Sequence, residues 1–79
     1  MSPEDNSILA HLPENEICWL RYYSIDGSMK NIITSDKHRD NYYLYNVINN
    51  IPTKTKHIAN TPTEFDKYIY TETEMAATA

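Results

Sequence analysis

The chain of 79 residues contains a single glycine, Gly27, placed directly after Asp26 and between two runs rich in aromatic and β-branched residues. Asp-Gly accepts the positive φ angles of a two-residue type I′ turn, so residues 16–24 and 29–34 are expected to form a β-hairpin. With Asp26 and Gly27 at the centre, Ile25 pairs with Ser28. The ladder then runs outward through Tyr23 with Lys30, Tyr22 with Asn31, Arg21 with Ile32, Leu20 with Ile33 and Trp19 with Thr34. In that register Cys18, Leu20, Tyr22, Met29 and Ile33 share the side expected to be core. Trp19, Arg21, Tyr23, Lys30 and Ile32 share the other.

A second hairpin is read from residues 42–48, the Asn49-Asn50 turn and the alternating Thr and Lys that follow. Leu44, Val47, Ile48 and Ile51 also satisfy helical spacing, so a helix across residues 37–50 is the alternative. In the strand register Tyr45 pairs with Lys54, Leu44 with Thr55 and Tyr43 with Lys56, and Pro52 places the last strand at a sheet edge. Thr61-Pro62-Thr63-Glu64 is a capping box with proline at the first helical position. It predicts a helix from residue 62 to about 70 whose apolar side is Phe65, Tyr68 and Ile69. Ser2-Pro3-Glu4-Asp5 begins a shorter helix, which Pro13 stops. The expected fold is one α+β domain over residues 1–70: a four-stranded antiparallel meander of two hairpins with a helix at each end, order αββββα. Residues 71–79 are expected to fray.

Several functions are disfavoured by what the chain lacks. A lone cysteine closes no intrachain disulfide, which points to a reducing, cytoplasmic setting. The first residues lack the pattern of an export signal, and the longest apolar run is only Ile17-Cys18-Trp19-Leu20, so no membrane span is expected. Cys18 falls on the expected core face, where a thiol is inert packing, and one cysteine with scattered His11, His38 and His57 makes no zinc pattern. Gly27 alone cannot build a phosphate-cradling loop. Asp36, His38 and Asp40 could do acid–base work, but they sit in a polar connector where solvated charge is the ordinary condition. An enzyme is therefore not expected, and neither is a metal or cofactor.

The net charge of −4 is unevenly spread. Residues 28–60 carry Lys30, Lys37, Arg39, Lys54 and Lys56 against Asp36 and Asp40, whereas both ends are acidic and would repel duplex DNA. If both registers hold and the hairpins join in phase, Trp19, Arg21, Tyr23, Lys30, Tyr43, Tyr45, Lys54 and Lys56 share one sheet face. Trp, Tyr and Arg together are the composition of protein-interface hot spots. The expected function is a small non-enzymatic protein-binding module, a stoichiometric inhibitor or modulator of a host protein, with a protein partner or a second copy in a homodimer. Asn, Ile, Tyr and Lys supply 29 of the 79 residues, an AT-rich signature that fits a phage or mobile element. The alternative is single-stranded nucleic acid, stacked on the aromatics and neutralised by the lysines. A third possibility is that the helices cover this face and the aromatics are core.

Overall fold

The structure, a computed structural model, describes residues 3–78, with side chains described for residues 3–72. Its elements are α1 (Pro3–Leu9), β1 (Glu16–Tyr23), β2 (Met29–Asp36), β3 (Tyr42–Ile48), β4 (Ile51–Ala59) and α2 (Pro62–Thr78). The strands form one antiparallel sheet in the order β1-β2-β3-β4, which is the expected αββββα architecture. Residues 42–48 are strand, not helix. Their tyrosines and Val47 suit a pleated surface, and Asn49 (φ 51°) and Asn50 (φ 64°) form the left-handed pair that a tight hairpin needs. Ile48 faces Ile51 and Tyr45 faces Lys54, as read from the sequence.

The first turn is not the expected one. Gly27 has φ 88°, but Asp26 is not in the left-handed region. The Gly27 N–H donates to the Ser24 carbonyl at 3.0 Å and the Ser24 N–H to the Ser28 carbonyl at 2.9 Å. The loop therefore has three residues, Ile25-Asp26-Gly27, ending on a left-handed glycine. Asp26 selects it: its carboxylate accepts the Ser24 hydroxyl, the Ser28 hydroxyl at 2.7 Å and the Ser28 N–H at 2.9 Å. These bonds, the Ser24 hydroxyl first, pull the Asp26 pKa down to about 2.

The longer loop shifts the ladder. Tyr23 faces Met29, and Lys30 becomes the extra residue that restores Tyr22 opposite Asn31, Arg21 opposite Ile32 and Leu20 opposite Ile33. Trp19 is extra in turn, so Cys18, not Trp19, faces Thr34. In β4, Thr55 and Ile58 are extra, which sets Leu44 against Lys56, Tyr43 against His57 and Tyr42 against Ala59.

These irregularities decide the two faces of the sheet. On one, Ile8 of α1 is buried with Met29, Ile32 and Tyr45, against Leu9, Leu12, Cys18, Tyr43 and Val47. Cys18 and Met29, expected beside Leu20, Tyr22 and Ile33, lie here because a bulge moves each to the opposite side. On the other face, Phe65 of α2 stacks on Tyr42, with centroids 4.4 Å apart. The capping box forms: the Glu64 N–H donates to Thr61 Oγ1 and the Asn60 N–H to Glu64 Oε1, both at 3.0 Å. The helix continues to Thr78, past the expected end near residue 70, because no Gly or Pro interrupts a stretch that includes Glu, Met and Ala. The expectation of fraying at residues 71–79 falls largely on side chains outside the described residues, and so does the Ser2 cap. Among the described residues no helix is long and apolar enough to cross a membrane.

Candidate functional site

The eight candidate contact residues do not form one platform. Arg21, Tyr23, Tyr43, Tyr45 and Lys54 share the α1 face, but two of them, Tyr45 and Lys54, are tied together by Glu16, to which the sequence reading assigned no role. Its Oε1 accepts the Tyr45 hydroxyl at 2.5 Å and the Thr34 hydroxyl at 2.8 Å, and its Oε2 pairs with Lys54 Nζ at 2.9 Å. Lys54 also lies 3.9 Å from the Tyr43 ring centroid. Burial alone would raise the Glu16 pKa. The bonds from Tyr45, Lys54 and Thr34, with the charge of Lys54, outweigh it and hold the carboxyl below its ordinary value. Tyr45 is buried, and burial together with the Glu16 carboxylate raises its hydroxyl pKa. The available sequence signal was positional: an acid two residues before Cys18 on an alternating strand points to the same face.

The remaining residues go elsewhere. Tyr23 is exposed and its hydroxyl donates to Asp5 Oδ2 of α1 at 3.0 Å. Lys30 is exposed at its bulge. The Trp19 bulge turns the indole to the α2 face, where Nε1 donates to Ser35 Oγ at 2.7 Å. The Thr55 bulge does the same to Lys56, which lies 5.9 Å from the Tyr68 ring centroid.

A second constellation forms where the β2–β3 connection meets the start of α2. Trp19, Arg39, Tyr42, Pro62, Phe65 and Asp66 line an open cleft of about 150 Å³. Asp36 shapes this end of the sheet. Its carboxylate accepts the Asp40 N–H at 2.8 Å and the Asn41 side-chain amide at 3.0 Å, while its carbonyl accepts the Arg39 N–H at 3.2 Å. The Asp40 N–H is the main reason its pKa is lowered. Asp36 thus holds a turn, and the turn fixes Arg39 at φ 60° with its guanidinium carbon 4.9 Å from the Trp19 ring centroid. Trp19 is 37% exposed, as expected of a contact residue, although on the face opposite to the one predicted. Arg39, Tyr42, Phe65 and Asp66 were missed because they meet only through the tertiary fold.

The cleft is smaller than the roughly 300–1,000 Å³ of cofactor and small-molecule sites and suits one inserted side chain. The Cys18 thiol points its weak donor at the Leu20 carbonyl, 3.8 Å away, and burial raises its pKa, the reverse of nucleophile activation. Among the described residues no group of three His, Cys, Asp or Glu side chains could hold a metal ion. Comparison with protein-family models, curated proteins and solved structures finds no match to this chain.

Proposed function

We propose that this chain is a non-enzymatic binding module that engages another protein at the Trp19–Arg39 cleft, as a stoichiometric inhibitor or modulator. The observation that carries the reading is the conformation of Arg39. Among the described residues the other left-handed positions hold Gly27, Asn49 and Asn50, types that adopt it readily, whereas a long side chain there costs about 1 kcal/mol. The exposed cation–π contact with Trp19 returns roughly 0.5–1 kcal/mol, so the arrangement has almost no net value for folding. Recognition gives it one: Trp, Tyr and Arg around a cleft sized for one side chain are what an interface anchor is built from. Single-strand stacking gains no comparable support, since Tyr45 is buried and Lys54 is paired with Glu16.

Capture from a nuclease-treated lysate with the wild-type chain and with Arg39→Gly tests the reading. The wild type should retain one protein in stoichiometric amount, and Arg39→Gly should lose it without a lower melting temperature. Capture that survives Arg39→Gly would remove the cleft from the interface. Capture that disappears with nuclease would transfer the function to nucleic acid.

A further inference from the structure

The two edges of the sheet are built differently. β4 carries the devices that prevent edge-to-edge association: Pro52, the exposed Lys54 and Lys56, and two extra residues that bend its outline. From Leu20 to Tyr23, β1 has no proline and no extra residue of its own, Arg21 is its one charged residue, and it presents Tyr22 and Tyr23 at 41% and 44% exposure. Among the described residues no other strand lies along its outer side. A chain with one blunted edge cannot stack head to tail into a filament, but it can close on a partner through the open edge.

We propose that the occupant of the β1 edge is β1 of a second copy, joining two four-stranded sheets into one eight-stranded sheet about a two-fold axis. The register follows from the hydrogen bonds. The Ser24 N–H points inward to Ser28. By the alternation of an antiparallel ladder, the peptide groups of Tyr22 and Leu20 also turn inward, and those of Tyr23 and Arg21 turn outward. Only outward-turned residues can bond across the new interface, which leaves three symmetric choices. Arg21 opposite Arg21 brings the bulged Trp19 into the ladder. Tyr23 opposite Tyr23 draws Ile25 of the turn into the ladder. Arg21 opposite Tyr23 avoids both faults. It forms two bonded pairs, places Arg21 across from Tyr23 on the α1 face, and brings Tyr22 against Tyr22 on the two-fold. Such an interface lies below the roughly 1,200–2,000 Å² of a standard one, so the dimer forms by mass action and parts on dilution.

The inference is independent of the cleft, because Trp19 and Arg39 lie outside the paired segment. Sedimentation of the wild-type chain from about 10 µM to about 1 mM should show the mass rising from 9.2 kDa toward twice that value. In a Cys18→Ser background, Tyr22→Cys should oxidise to a disulfide-linked dimer. The two Cα atoms across a non-bonded antiparallel pair are about 4.5 Å apart, within disulfide reach. Tyr23→Cys, which the register sets against Arg21, should not cross-link. A chain that stays at 9.2 kDa throughout overturns the dimer. Cross-linking through Tyr23→Cys instead of Tyr22→Cys overturns the register. Arg39→Gly should leave the association unchanged even if it abolishes partner capture.

Discussion

The α1 face and the cleft on the α2 face are built from the same residue types, aromatics beside cations, yet only one of them is closed. On the α1 face Lys54 meets Tyr43 and Tyr45, but Glu16 lies between them and satisfies the cation, the Tyr45 hydroxyl and the Thr34 hydroxyl together. At the cleft Arg39 meets Trp19, among the described residues no carboxylate is bonded between them, and the indole stays partly exposed. A buried acid converts an aromatic–basic cluster into core, because each polar group then finds its partner inside the molecule. Without one, the cluster keeps contact capacity for something outside.

The largest effect should come from breaking the closed cluster. Glu16→Ala strands the Tyr45 and Thr34 hydroxyls and is expected to cost about 2–4 kcal/mol, read from urea denaturation at pH 7. The pH dependence has a definite sign. Because folding lowers the Glu16 pKa, its contribution is present above the unfolded value and is lost as pH falls through the folded one. The gap between wild type and Glu16→Gln should therefore narrow below about pH 4; a constant gap would mean that the carboxylate charge is not what holds the cluster.

Trp19→Ala tests whether the open cluster is also structural. It removes the indole bond to the buried Ser35 and is expected to cost about 1–2 kcal/mol, less than Glu16→Ala, while abolishing capture. A loss as large as that of Glu16→Ala would make Trp19 core and erase the contrast. Thr61→Ala withdraws the acceptor for the Glu64 N–H at the helix end that frames the cleft, with an expected loss of about 0.5–2 kcal/mol in the same denaturation assay. The smallest change in stability belongs to Arg39→Gly. Relief of the left-handed conformation offsets the lost cation–π contact to within about 1 kcal/mol, so its melting temperature should match or exceed that of the wild type. A clear drop would mean that the contact with Trp19 is structural after all.

Most of the fold was legible because its signals are local. Asn49-Asn50 turns the second hairpin for the reason anticipated, and Thr61 to Glu64 caps α2 through bonds within a few residues. The cleft was legible only at Trp19. Arg39 and Asp66 looked like ordinary surface charges, and Phe65 looked like the apolar side of a helix with no indication of what it meets. Their proximity depends on where α2 lies across the sheet and on a turn that Asp36 organises.

Element order, strand partners and the start of α2 follow from the sequence by itself, since spacing, β-branched runs, turn residues and caps act over a few neighbours. The side to which each aromatic points was decided by the tertiary structure. Strand faces alternate every residue, so one extra residue at Trp19, Lys30 or Thr55 moves the side chains beyond it to the other side of the sheet. Whether such a bulge forms depends on contacts between residues distant in the sequence: Trp19 with Ser35 exists only once β1 has met β2, and Lys56 with Tyr68 only once β4 has met α2.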